Sequence, residues 1–238
     1  MRSPEYGQMR LLTKVSVNRQ ARACGPGTGE KECGMKDRRR AILEAAALVI
    51  ARRGVRGLRV DELAAEAGVS KALVYYHFED RAGLLRSTLE FIGARAERYT
   101  RGDPADPREP GPPLEELERR LLLELQEVPE VRENSTAWGE LRAGAVFDPE
   151  LREELARARA DWVREVADLL GLAVPAAPEA RLVTAAERLT ALLEGLSTRW
   201  LIGVLPVGHA RELLRQGIAA EARALLALPD RRAVCTTG

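Results

Sequence analysis

Apolar positions recur at helical spacing along most of this chain. In DRRRAILEAAALVIARRG, Ile42, Ala45, Ala46, Val49 and Ile50 share one face, and Gly54 can close the segment in a left-handed conformation, so a first helix is predicted from Asp37. A short second helix, VDELAAEA, ends at Gly68, and a third begins after Val69 with Ser70 as its N-cap. So tight a joint makes these two helices cross steeply. A longer helix runs from Arg81 to about Tyr99 and is closed by GDPADPREPGPP at 102–113, a run incompatible with helix interior. Further helices are predicted near 114–127, 135–145, 149–171, 179–204 and 208–227, with breaks at Pro129, Phe147-Asp148-Pro149, the VPAAP run of 174–178 and Pro206. β-branched and aromatic residues never alternate over a useful length, and no fixed-period repeat is present. The expected fold is all-α.

The expected organisation is a three-helix domain at 35–80, a larger helical bundle at 81–228 and a flexible tail at 229–238. Residues 1–34 contain CGPGTGEKECG, cannot bury a face and read as a disordered extension. Met1 and Met35 are both open as translation starts.

Within VDELAAEAGVSKALVYYHF each special position has a physical reason. Ala64 must be small because the next helix crosses over it, Gly68 permits the left-handed turn, and Val74 plugs the joint. Leu63, Val69 and Phe78 complete the apolar underside. Lys71, Ala72, Tyr75 and Tyr76 then fall on the outer side of the third helix. Such a helix can enter a major groove about 12 Å wide, where Lys donates to guanine and a flat side chain touches a thymine methyl. The segment reads as a helix-turn-helix, and double-stranded DNA is the expected partner.

Composition narrows the alternatives. Hydrophobic residues make up 45% and charged residues 31%, the balance of a soluble globular chain, and no run approaches the ~20 apolar residues of a membrane span. No signal-peptide core follows Met1, so a cytoplasmic protein without membrane partners is expected. Cys24, Cys33 and Cys235 form no CxxC pair, and His77 and His209 are the only histidines. No metal site, cofactor or catalytic residue is assigned. The carboxylates of ELREELARARADWVREVADLL read as a charged helix face, and no nucleophile elbow, phosphate loop or HExxH motif occurs. The net charge of +1 is uneven: residues 1–34 carry +3, 35–81 carry +3 and 82–238 carry −5. A basic front suits a polyanion. The cluster Lys36, Arg38, Arg39 and Arg40 reads first as a solvated helix start and second as a DNA arm.

Residues 39–85 resemble the DNA-binding domain of the tetracycline-repressor (TetR) family. The resemblance rests on Ile42-Leu43-Glu44-Ala45-Ala46, Gly54, AEAGVSKALVYYHF at 65–78, Arg81 and Leu84-Leu85. It implies base contacts from Lys71, Ala72 and Tyr75, and phosphate contacts from Tyr76, His77, Arg81 and the helix start at Ser70. Arg59 stands where the family has a Thr or Ser cap, and Leu73 where a small hydroxyl residue is common. The first loses a side-chain cap and offers a charged DNA contact; the second trades a phosphate hydrogen bond for an apolar contact.

LLEGLSTRWLIG also resembles the last helices of regulators of the choline/betaine-repressor type. That likeness implies a homodimer through the final two helices, with Leu189, Leu193, Leu196, Trp200, Leu214, Ile218 and Leu225 at the interface, beside Leu192 and Val204 on the same stripe and the small residues Gly217 and Ala220; the alternative is that these two helices only close the core of one chain. A palindromic operator follows from two-fold pairing. The resemblance further implies repression relieved by an unidentified small-molecule effector, which displaces the 81–99 helix; activation stays open. The effector pocket is expected among helices 114–171 and the front of 179–204, with Trp138, Arg142, Phe147, Trp162 and Trp200 as candidate large or polar side chains. The competing function is a degenerate member that serves as a protein-interaction module without operator binding.

Overall fold

The computed structural model describes residues 29–101 and 111–227, with side chains from Gly34 onward. The expected extension up to residue 28, the loop 102–110 and the tail from 228 lie outside the described residues. The chain divides into two compact units, Met1–Asp37 and Arg38–Gly238. Of the first, only the start of helix α1 is described.

Among the described residues there are nine α-helices and no strand: α1 Gly29–Arg53, α2 Val60–Ala67, α3 Lys71–Phe78, α4 Arg81–Arg101, α5 Pro113–Leu123, α6 Pro129–Gly144, α7 Pro149–Ala173, α8 Glu179–Leu201 and α9 Val207–Leu226. One 3₁₀ turn, Val55–Gly57, joins α1 to α2. The all-α expectation holds, and several boundaries differ from it, among them the end of α5 at Leu123 in place of 127. Helix α1 starts at Gly29 and not near Asp37, because Glu30, Lys31 and Glu32 are good helix formers and an isolated glycine such as Gly34 costs only about 1 kcal/mol. Helix α6 starts at Pro129, which was expected as a break. Proline at a first helical position loses no intrahelical bond, and Val128 before it is extended. Helix α8 stops at Leu201, where Gly203 takes φ 76°, so Val204 leaves the apolar stripe and is 71% exposed.

Two apolar cores hold the second unit. The first gathers Ile42, Ala46, Ile50, Leu63, Ala64, Val74, Phe78, Leu84 and Ile92, and is completed by Ala137 and Leu141 of α6 and Leu151 of α7. The core of the helix-turn-helix head thus continues past residue 80 into α4 and α6. The second core is built from α5, α7, α8 and α9.

That second core overturns the expected dimer contacts. Leu189, Leu193, Leu196, Trp200, Leu214, Ile218 and Leu225 are all buried within a single chain. Their stripe packs on α5, α7 and α9, so no surface remains on them for a partner. Gly217 has the same inward role: a Cβ there would stand 2.4 Å from Leu192 Cδ2, so its absence lets α9 approach α8. Trp200 is further fixed by its Nε1, which donates to Glu127 at 2.7 Å.

Candidate nucleic-acid interface and ligand cavity

The turn between α2 and α3 follows the local chemistry of its sequence. Gly68 sits at φ 66°, ψ 33° as the left-handed cap of α2, and Val69 N–H donates to the Ala64 carbonyl at 2.9 Å. Two residues later Ser70 caps α3, its hydroxyl accepting from Leu73 N–H at 3.2 Å. Arg59, at the N-cap of α2, makes no side-chain cap bond, as its departure from the usual hydroxyl residue implies. Leu63, Ala64, Val74 and Phe78 are buried beneath the joint. Facing outward from α3 are Lys71, Ala72, Tyr75 at 52% exposure and Tyr76 at 68%, while Leu73 is half-buried. Two large aromatic rings held in solvent beside a buried underside form a surface shaped for something else to cover.

Lys71 is not idle on this face: its Nζ is ion-paired with Asp61 of α2. Arg52 pairs with Glu66 at 3.9 Å, Arg53 with Glu62, and Arg40 with Glu44 at 2.9 Å. The charges at both ends of α1 are therefore partly neutralised, and Arg39 leans over the Phe78 ring at 5.3 Å while donating to Ser87. Arg59 is exposed with no ion-pair partner among the described residues.

Two residues expected to hold phosphates are placed otherwise. Arg81 turns inward and donates from Nη1 to the Leu58 carbonyl at 2.6 Å and from Nη2 to the Val55 carbonyl at 2.5 Å. It clamps the 3₁₀ turn that leads into α2. His77 is half-buried with its Nε2 out of solvent and without a hydrogen-bond partner. Burial, and then the nearby Arg39 charge, lower its pKa and favour the neutral ring. Its Nε2 is thus not presented to a phosphate, and the ring packs edge-on to Tyr76 at 5.4 Å between centroids.

Behind the head lies a cavity of about 1200 Å³ between α4, α6, α7 and the rear half of α8. The expected pocket was to use the front of α8; the inward face of that front packs instead into the second core, through Ala185, Ala186 and Leu189. Trp138, Arg142 and Trp162 line the cavity. Trp200 belongs to the core, and Phe147 lies outside at 75% exposure under Arg56, whose guanidinium is 5.3 Å from the ring. Most of the cavity's inner carboxylates are neutralised by arginine. Glu165 receives Arg101 at 2.8 Å and Arg120 at 2.7 Å, Glu194 receives Arg142 at 2.8 Å, and Glu154 receives Arg157 at 2.6 Å.

Two carboxylates escape that pattern, Glu124 and Glu140. Glu124, at the end of α5, accepts from the Tyr99 hydroxyl at 2.8 Å and has no cationic partner among the described residues. Behind it Asn134 donates to Tyr99 Oη at 3.3 Å and to the Ile92 carbonyl at 3.1 Å, and accepts from Arg95 Nε at 2.7 Å. Arg95 also reaches Glu133 at 2.9 Å. Burial raises the Glu124 pKa to about 7, the Tyr99 hydrogen bond opposing it, and burial also drives the Tyr99 phenol upward. This network was missed in the sequence. Its one signal is an acid set inside the apolar run LLLELQ at 121–126.

A helix-turn-helix head on a helical body with a ligand-sized cavity defines a transcriptional regulator. Comparison with known families gives the finer assignment. Residues 42–88 match the model of "Bacterial regulatory proteins, tetR family", and residues 113–223 match "BetI-type transcriptional repressor, C-terminal". A putative TetR-family transcriptional regulator from Rhodococcus sp. is 44% identical, with TM-score 0.70, over 79% of this chain and 99% of that one. A putative transcriptional regulator from Saccharomonospora viridis, solved in complex with choline, is 27% identical with TM-score 0.66, over 77% of this chain and 96% of that one. The HTH-type transcriptional repressor SCO4008 of Streptomyces coelicolor is 43% identical over 49 residues, 21% of this chain; the match spans only 26% of that relative's length. The chain belongs to the TetR family.

Among the described residues no helix is long and apolar enough to cross a membrane, and no cluster of His, Cys, Asp and Glu could hold a metal ion.

Proposed function

We propose that this protein is a dimeric repressor that binds a palindromic operator and is released when a small organic molecule enters the cavity. The observation that carries this reading is the outer face of α3, where Lys71, Ala72, Tyr75 and Tyr76 are exposed over a buried Val74 and Phe78. Lys71, Ala72 and Tyr75 read base edges; Tyr76, Arg59 and the capped helix start at Ser70 hold phosphates, with Leu73 in apolar contact. His77 and Arg81 position this surface from behind and do not touch DNA. An interaction module without operator binding would have no use for so complete a reading face.

Dimerisation is assigned to the outward faces of α8 and α9, where Ala191 and Gly195 on one helix and Ala220 and Ala224 on the other are exposed. Small residues there allow two copies to approach closely. Release is carried by α4, which lines the cavity from Leu89 to Arg101 and at its first residue holds the 3₁₀ turn through Arg81. Helix α6 supplies a second route, since Gly144 packs on Val55 of the same turn. A ligand that shifts either helix moves the recognition helix and so changes the spacing of two half-sites.

The test is a gel shift with DNA upstream of the protein's own gene. Tyr75→Ala should lose about 1–3 kcal/mol on the preferred sequence and little on random DNA. Equal losses on both would remove Tyr75 from base reading. Ala191→Glu with Ala220→Glu should leave a folded monomer by light scattering; an unchanged dimer would move the interface elsewhere.

A further inference from the structure

We propose that Glu140 is the positioning residue through which the contents of the cavity bear on the head, by way of Gly54 at the end of α1. This role refines the α6 route and rests on the reading of the protein as a ligand-released regulator. Gly54 closes α1, its N–H donating to the Ile50 carbonyl at 2.8 Å, and it stands at φ 74°, ψ 166°, a conformation that glycine alone adopts readily. The 3₁₀ turn into α2 follows directly. Glu140 and Gly144, one helical turn apart on α6, and Phe147 just beyond that helix meet Gly54, Val55 and Arg56 in that order. A Cβ on Gly54 would stand 2.6 Å from Glu140 Oε2, and one on Gly144 would stand 3.6 Å from Val55 Cγ1. The Arg56 guanidinium completes the series over the Phe147 ring. Of the three residues on the α6 side, Glu140 alone also lines the cavity.

Two properties suit this side chain to the task. The first is the lack of slack on its head side, where not even a methyl group would fit between the carboxylate and Gly54. The second is its freedom on the cavity side. Glu154, Glu165 and Glu194 are tied down by arginines and Glu124 by the Tyr99 hydroxyl, whereas half-buried Glu140 has no ion pair or hydrogen bond among the described residues. While the cavity is empty, the untied side chain can swing back into it, and the hinge at Gly54 has room to adjust. Once the space is taken, the carboxylate is confined against Gly54. Close-packed groups pass displacement on because they have nowhere else to put it. From the far side Arg81 grips the same turn by the Val55 and Leu58 carbonyls, so the turn does not absorb the change before it reaches α2 and α3. Two heads must settle onto their half-sites together, and a confined hinge denies them that adjustment. Glu140 therefore acts by its bulk and not by its charge.

The experiment fills the cavity from within, by a built-in wedge. Ala158→Trp on α7 and Ser197→Trp on α8 each place an indole on the cavity wall, away from α4 and α6. Operator affinity is measured by gel shift of the full chain on DNA upstream of its own gene, with a melting curve for every variant. At least one wedge should melt cooperatively and weaken operator binding at least about fivefold, the low end of ordinary coupling between sites. Glu140→Ala added to that wedge should bring the loss below about twofold, and Glu140→Gln, which keeps the bulk, should leave the loss in place. Any effect of Glu140→Ala alone cancels, because the wedge is compared with and without it. A wedge equally effective in the Glu140→Ala background overturns the proposal and assigns transmission to α4. Loss of the wedge effect in Glu140→Gln overturns it too, since charge would then be the cause, and so does operator affinity unmoved by either folded wedge. Each of these removes the role of Glu140 and leaves the regulator reading standing. No sequence-preferring DNA binding by the wild-type chain removes both.

Discussion

The head and the body of this molecule place their working side chains in opposite ways. In the head the apolar residues go inward and the side chains proposed to read DNA go outward. Eight residues of α3 suffice: Val74 and Phe78 anchor it, and Lys71, Ala72, Tyr75 and Tyr76 are presented. In the body the functional surface is itself interior, assembled from α4, α6, α7 and α8 around an opening that the two cores leave unfilled. A surface site needs one well-capped helix, whereas an internal site needs the relative placement of four. Damage to the body's packing should therefore be global, and damage to the head's caps local.

The largest expected effect comes from Leu196→Glu. The side chain is buried in the second core, so losing the leucine and burying a carboxyl should cost at least about 3 kcal/mol in urea unfolding. A stable, well-folded monomer from this variant would return Leu196 to the dimer surface and blur the contrast. Arg81→Ala removes two charged hydrogen bonds from the hinge turn and should cost about 1.5–3 kcal/mol of stability. Because Arg81 faces carbonyls and not phosphates, the slope of log affinity against log salt should stay unchanged. A slope flattened by about one unit would restore it to the DNA backbone. Ser70→Ala should cost about 1 kcal/mol, through the lost N-cap of α3 alone, and weaken DNA binding without altering the pH response.

A tilt of thermal stability with pH is expected as well. A carboxyl whose folded pKa is raised to about 7 favours the protonated fold, so its contribution is full below the ordinary 4.5 and is lost as pH rises through 7. The groups facing it are Tyr99 of α4 and, through Tyr99, Asn134 of α6 and Arg95. Glu124→Gln should flatten the melting temperature across that window; an unchanged tilt would assign it to another group.

How much of this was legible in the chain follows the same division. The head was readable because each of its constraints is local: Gly68 for a left-handed turn, Ser70 for a cap, Ala64 for a crossing. Two of its residues were still misplaced. Arg81 is a cation beside DNA in sequence terms, and only the fold brings the Val55 and Leu58 carbonyls, 26 and 23 positions earlier, within its reach. In the body the helices were legible and their neighbours were not. An apolar stripe on α8 announces burial, yet nothing in its periodicity says whether the covering surface belongs to the same chain or to a second copy. Glu124, Tyr99 and Asn134 come from three helices and form no motif, so their meeting is a property of the packing.

The ion pair between Lys71 and Asp61 has a consequence for how the protein hunts for its target. A recognition lysine already matched to a carboxylate draws little from a passing phosphate, and the same holds for Arg40, Arg52 and Arg53 with their own partners. Such exposed pairs are worth at most about 1 kcal/mol, small enough for a guanine edge to displace. On the proposed reading of Lys71 as a base contact, wrong sequences would be left quickly, and a long stay would be reserved for the site where giving up Asp61 is rewarded.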